Sequence, residues 1–177
     1  MIKRNIKFNL KSSFLFWLIA LSFFIRVIIA YFFGDQHLEN EWKILLHNLI
    51  NHNSYSFFKF NDQLIPSLFM PPMYPFLLYF IKIIAFEKIN FLNLIIFFQK
   101  IFSTYSVYIF FRLNQKIFSN KISLINSLIF SFFPLNLYAS AQISSINFQM
   151  LLALLFMLYL FSLSEYQSNK NIYIFSL

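Results

Sequence analysis

Cysteine is absent, glycine occurs once, and only 11% of the 177 residues are charged. Without cysteine, neither a disulfide framework nor a thiolate metal site can form. A soluble domain carries about 25% charged residues. Less than half of that, together with 59% hydrophobic residues, excludes an ordinary water-soluble domain and points to membrane material. Acidic residues are scarce as well: six stand against 14 Lys and Arg, for a net charge of +8. Such a balance can signal nucleic acid. Here the basic residues cluster at the ends of apolar runs, with no basic stripe and no module motif, which is how membrane topology is written. Nucleic acid is therefore not an expected partner.

The usage is biased toward Phe, with 28 copies, and toward Ile, Asn, Lys and Leu. Most of these residues have A/T-rich codons, so the aromatic content reads as drift among apolar residues and not as a cofactor box. Gly, Pro and Ala gain weight as signals for the same reason. The N-terminus "MIKRNIKFNLKSS" places Lys3, Arg4, Lys7 and Lys11 ahead of the apolar run Phe14–Phe33. About 20 residues of helix span about 30 Å. No small-x-small cleavage site follows, so the run reads as an uncleaved signal anchor with its N-terminus in the cytoplasm.

Four further apolar runs follow, at 69–86, 91–111, 122–138 and 143–163, and "NIYIFSL" begins another. If every run crosses, the basic segment Arg112–Lys121 falls outside, against the positive-inside rule. Dropping 69–86 as a crossing repairs this. That run opens with Pro71, Pro72 and Pro75, carries Lys82, and suits a helix lying in the interface. The expected architecture is all-α and polytopic. Spans are expected at about 14–33, 91–111, 122–138 and 146–163. An outer loop covers 34–90, with interfacial helices at about 36–51 and 72–87. The whole of 1–177 reads as one transmembrane domain, the N-terminal part of a larger protein.

The polar residues concentrate just after the first span, in "GDQHLENEWKILLHNLINHNSYSF". Gly34 ends the span, and Asp35 can cap a new helix through its carboxylate. Leu38, Trp42, Leu45, Leu46 and Leu49 recur at helical spacing, while Glu39, Asn40, Lys43, His47, Asn48 and Asn51 take the other face. "NHNS" reads as a turn, "KFNDQLIPS" as a second loop, and Pro71-Pro72 as the start of the second interfacial helix.

A span ending in Gly-Asp, then "HLENEWKILLHNLINHNSYSF", then "PPMYPFLLYFI", resembles the opening of the GT-C type, polyprenyl-phosphate-sugar-dependent glycosyltransferases. The nearest subgroup is the one that resembles the protein mannosyltransferases and the aminoarabinose transferase. The resemblance covers about residues 14–165. It implies an inverting glycosyltransferase in a bacterial inner membrane, with the active loop on the outer, periplasmic side. The implied partners are a polyprenyl-phosphate-sugar donor, a lipid, glycan or protein acceptor, and membrane lipids. No cofactor is certain, and a divalent metal, which some relatives bind near this loop, is the one left open. The alternative is a non-catalytic protein that binds or flips a lipid-linked sugar.

The resemblance assigns Asp35 as the base that takes the acceptor's proton; Glu39, one helical turn away, is the second catalytic candidate, to share that site, orient a substrate or bind a metal with Asp35. Taken by themselves, Asp35 is a helix cap and Glu39 a solvated face. Cations or donors must stabilise the leaving phosphate, and the candidates are His37, Lys43, Lys59, Lys82 and Arg26. Arg26 lies within the first span, where snorkelling to the surface is the simpler reading. Pro72 and Tyr74 are either an interfacial anchor or a wall of the lipid-phosphate site. His37, His47 and His52 have no recognised metal spacing. Many relatives carry a second acid in the turn after the third span. Here that turn reads "LYASAQISSINFQ", where Gln142, Ser145 and Asn147 are the available polar residues.

Overall fold

In a computed structural model, residues 12–35, 37, 38, 40–61, 63–66, 70–85 and 90–169 are described. Seven helices are found among them: α1 (Ser12–Phe33), α2 (Asn40–His52), α3 (Met73–Ile84), α4 (Phe91–Ile117), α5 (Asn120–Phe132), α6 (Pro134–Ala141) and α7 (Ile146–Asn169). The helical, membrane-type expectation holds at this level. Three helices, α1, α4 and α7, are long and apolar enough to cross a membrane, and α5 with α6 makes a fourth if the bent pair counts as one span.

α4 is the hub and packs against α1, α3, α5, α6 and α7. Its 27 residues reach about 40 Å, well past the expected end at 111. Arg112 and Lys116 therefore sit on its last turns, and only residues 118 and 119 separate α4 from α5. The expected basic loop is thus two helix ends. They are pinned together by Asn126 Nδ2 donating to Asn114 Oδ1 at 2.9 Å and Gln115 Nε2 donating to Asn120 Oδ1 at 3.0 Å.

The expected continuous span 122–138 is broken. Phe133 has φ −62° and ψ 123°, Pro134 starts α6, and the two helices meet at 50°. Proline forces the residue before it out of the helical region and removes a backbone donor. The break borders a cavity of about 420 Å³ lined by Phe110, Asn126, Ile129, Phe130, Phe133 and Asn136. None of the candidate site residues lines it. On α5, Ser123, Ser127 and Ser131 are buried at spacings of four. The first two hydroxyls donate to carbonyls one turn back, at 2.9 and 2.7 Å, which lets a polar side chain sit in an apolar interface.

Between α1 and α4 the segment departs further from expectation. α2 begins at Asn40, not at 36. Its buried face holds Leu45, Leu46 and Leu49, as the periodicity predicts. Asn48, assigned to the polar face, is buried and donates from Nδ2 to the Ser56 carbonyl at 2.8 Å. Its partner belongs to a strand that the sequence reading took for loop. β1 (Ser56–Phe60) and β2 (Gln63–Pro66) form an antiparallel ribbon in which Phe60 pairs with Gln63. Asn61 has φ 48°, the left-handed conformation that a two-residue hairpin turn requires. α3 starts just after Pro72 as expected. It runs 12 residues, about 18 Å, and so is too short to cross a bilayer core of about 30 Å. Its expected end at 87 lies outside the described residues.

Two apolar clusters organise the core. One joins Leu46, Tyr74, Leu78, Ile81, Ile95, Ile96 and Ile143 at the end of the bundle where α1 stops. The other joins Ile109 and Leu113 of α4 to Leu151 and Leu154 of α7.

Candidate functional site

The chain leaves α1 through a close approach that only glycine permits. The Gly34 N–H donates to the Ala30 carbonyl at 2.9 Å. A Cβ on Gly34 would lie 2.2 Å from that same oxygen. Its φ is not positive, so proximity is the constraint and not handedness.

This exit delivers Asp35 to the turn between α6 and α7. The Asp35 N–H donates to the Ala141 carbonyl at 3.2 Å, and the Ile143 N–H donates to Asp35 Oδ2 at 2.7 Å. Gln142 Nε2 donates to the Phe33 carbonyl at 3.0 Å. Three bonds thus stitch the end of α1 to residues 141–143. The expected helix-capping role of Asp35 does not occur: its carboxylate takes a backbone N–H 108 positions away, and α2 starts five residues later. Asp35 is half-buried, and Oδ2 is the oxygen that Ile143 engages.

Behind this turn stands Tyr74, placed by the proline-initiated first turn of α3 and almost fully buried. Gln99 of α4 donates from Nε2 to Tyr74 Oη at 2.8 Å and to the Ser144 carbonyl at 3.1 Å. Trp42 of α2 meets the Tyr74 ring edge-on with centroids 4.9 Å apart. Burial pushes the Tyr74 phenol well above its usual range; the Gln99 bond opposes this and the negative charge of Asp35 adds to it. The phenol is a neutral group near a carboxylate. Gln99 Oε1 and Ser144 Oγ are buried with no hydrogen-bond partner among the described residues.

The junction therefore collects Asp35, Tyr74, Gln99, Trp42 and the 141–144 backbone from five elements. Asp35, Tyr74 and the turn are legible as candidates in the sequence; Gln99, Trp42 and Ser144 join them only in the fold. A glutamine inside an apolar span was the available signal for Gln99. Trp42 was assigned only as an apolar helix position. Of the polar turn residues, Gln142 joins the stitch. Asn147 is buried and donates to the Ala139 carbonyl at 2.6 Å, and Ser145 Oγ accepts from Gln149 Nε2 at 3.0 Å.

The candidate cations are dispersed. His37 and Lys43 are exposed near the start of α2, and Lys59 is exposed on β1. Lys82 lies over the Phe91 ring, 5.2 Å from its centroid. Pro72 is exposed at the head of α3. Arg26 does not snorkel. It is fully buried, with Nε donating to Ser103 Oγ at 2.8 Å and Nη1 donating to the Ser22 carbonyl at 3.0 Å and to the Ser22 hydroxyl. Glu39, the second catalytic candidate, lies outside the described residues. No group of three or more His, Cys, Asp or Glu able to hold a metal occurs among the described residues.

Comparison with protein-family models, with curated proteins and with solved structures finds no match.

Proposed function

We propose that the chain is part of a membrane glycosyltransferase that moves a sugar from a polyprenyl-phosphate-linked donor to a lipid, glycan or protein hydroxyl at the outer face of a bacterial inner membrane. The observation that supports this reading is the meeting of Asp35, the Tyr74-bearing start of α3 and the 141–144 turn. The first two belong to stretches that carry the resemblance to GT-C type enzymes, the third is the turn in which many relatives place a second acid, and the first and third are far apart in sequence. In this reading the acceptor oxygen loses its proton to Asp35 and attacks the anomeric carbon. The bond from that carbon to the donor phosphate breaks, and polyprenyl phosphate leaves. Proton removal by a positioned carboxylate contributes about 10²–10⁴-fold. His37 and Lys43, exposed and close in sequence to Asp35, are the hydrogen-bond donors for the leaving phosphate. Tyr74, Trp42 and Gln99 make its wall, and Pro72 sets the start of the helix that carries Tyr74.

A second reading is a protein that binds or flips a lipid-linked sugar without catalysis. It is favoured by the Ile143 N–H on Asp35 Oδ2, which gives the carboxylate a structural task, and by the lack of an acid in the 138–149 turn. Sugar transfer from a polyprenyl-phosphate donor in membranes holding the full-length protein separates the two. The enzyme reading expects transfer by the natural sequence and its loss in Asp35→Asn at equal protein level. Donor binding without transfer by the natural sequence supports the second reading and overturns the first.

A further inference from the structure

The β1–β2 ribbon has two unlike faces. In the observed register Phe58 lies opposite Ile65, Lys59 opposite Leu64, and Phe60 opposite Gln63. Side chains alternate across a strand, so Phe58, Phe60 and Ile65, with Gln63 at the turn end, share one face, and Lys59 and Leu64 share the other. The aromatic face is exposed: 66% for Phe60, 44% for Ile65 and 51% for Phe58. An isolated two-stranded ribbon is marginal in water and needs something against its apolar face.

The ribbon is joined to a helix with the same property. Tyr55, just before β1, stacks on Phe76 of α3 at 6.0 Å and 16°, and its hydroxyl donates to the Met70 carbonyl at 2.6 Å. α3 buries Tyr74, Leu78 and Ile81 and exposes Met73, Phe76, Phe80 and Ile83, which follow one another at steps of three and four along one helix face. It is apolar on both sides, too short to span, and packed on α4. Such a helix belongs in the boundary between headgroups and acyl chains.

We propose that the β1–β2 ribbon is a lipid anchor, with Phe60, Ile65 and Phe58 seated in the bilayer interface as a continuation of the exposed α3 stripe, and with Lys59 turned to the aqueous side. The occupant is lipid, because the ribbon is tied at its start, through Tyr55 and Phe76, to an exposed apolar stripe on a helix that suits a bilayer boundary. The proposal rests on the reading of α1, α4 and α7 as membrane spans, and not on catalysis.

The absence of cysteine makes a clean test available. Single cysteines at positions 24, 59, 60 and 65 of the full chain are labelled with an environment-sensitive fluorophore. The protein is reconstituted in phosphatidylcholine vesicles, with and without lipids carrying spin labels along the acyl chain. Position 24 reports insertion of α1. The expected result is strong quenching at 24, and quenching at 60 and 65 several-fold stronger than at 59. Equal quenching at 59, 60 and 65, or none at 60 and 65, overturns the anchor while quenching at 24 leaves the spans standing. Protection of 60 and 65 from an aqueous thiol reagent without quenching by lipid means that protein covers the face, and also overturns it. Absence of quenching at 24 removes the membrane reading itself.

Discussion

Two charged groups on and just beyond α1 meet opposite surroundings. Arg26 is wholly enclosed between α1 and α4. It spends Nε on Ser103 and Nη1 on Ser22, while Nη2 is buried without a partner among the described residues. Asp35, nine residues on, is half-buried, and among the described residues its carboxylate accepts one backbone N–H, on Oδ2. A charge closed in by its own chain can fasten helices but cannot reach a substrate. A charge fastened by one atom and otherwise open can do both. The chain holds only six acids, none of them within a run expected to span, so Arg26 has no carboxylate from its own spans to offset its desolvation. Hydroxyls and carbonyls are what it has, and a buried cation in a membrane span is costly on that basis. This contrast assigns Arg26 to fastening, and in the proposed reading it leaves Asp35 as the charge that meets substrate.

The largest expected effect breaks the contrast at Asp35. Asp35→Asn retains a side-chain oxygen that can accept from Ile143, and Asp35→Ala does not. If the carboxylate is a base, both variants lose about 10²–10⁴-fold in transfer, and only the alanine variant also loses thermal stability in detergent. If Asp35 only pins the 141–143 turn, the asparagine variant keeps full function and stability, and the alanine variant loses both. Measuring transfer and melting temperature on the same preparations separates these outcomes.

The next effect tests the enclosed side. Ser103→Ala removes the Nε partner and leaves the guanidinium buried. A hydrogen bond to a charged group is worth about 1.5–3 kcal/mol, offset by about 0.5 kcal/mol from the better helix propensity of alanine. Arg26→Met removes the charge itself, and Ser22 and Ser103 can turn to carbonyls of their own helices. Replacing a buried charge with an apolar side chain of similar length is often neutral or stabilising. The expected order of stability is therefore Arg26→Met at or above the natural sequence, and Ser103→Ala below it. The reverse order, read by thermal denaturation in detergent, would mean that Arg26 holds something other than its two serines.

Gly34→Ala sharpens the link between the two regions. The added Cβ meets the Ala30 carbonyl at 2.2 Å, so the backbone after α1 has to move, and Asp35 moves with it. Overpacking of this kind costs about 1–3 kcal/mol. Both melting temperature and transfer should fall. Transfer at the natural level in a variant of lowered stability would show that the position of Asp35 does not matter to it.

The sequence disclosed some of this and hid the rest for identifiable reasons. α1, α4 and α7 are long apolar runs, and length alone reveals them. The lone glycine marked a real constraint, although as a close approach. Pro134 was visible, but the apolar run 122–138 passes over it without a change in composition, so the break was missed. The ribbon was missed because "SFFKF" and "QLIP" are short and its turn uses Asn61 without glycine. The contact that holds the Asp35 carboxylate was illegible in principle. Its partner is the backbone N–H of Ile143, and no residue type announces a backbone donor. Asn48 and Arg26 failed alike, since polar residues on a greasy chain were assigned to water and found protein instead.

The smallest effect concerns Tyr74, which belongs to the Asp35 side of the comparison. Its hydroxyl accepts from Gln99 Nε2, so Tyr74→Phe should cost about 0.5–1.5 kcal/mol near neutral pH. The variant also changes the alkaline limb. Burial, the largest cause, and the charge of Asp35 raise the folded phenol's pKa above its ordinary value of 10.0. The unfolded phenol ionises first, so the unfolded state is favoured as pH rises. The stability due to the neutral phenol is complete below pH 10.0 and falls progressively above it, toward the higher folded pKa. Replacing the tyrosine removes that slope. The natural sequence should therefore lose stability faster than Tyr74→Phe between pH 10 and 11, and the gap between them at neutral pH should narrow. Parallel curves over that window would mean that the phenol is not buried, and would remove Tyr74 from the wall of the junction.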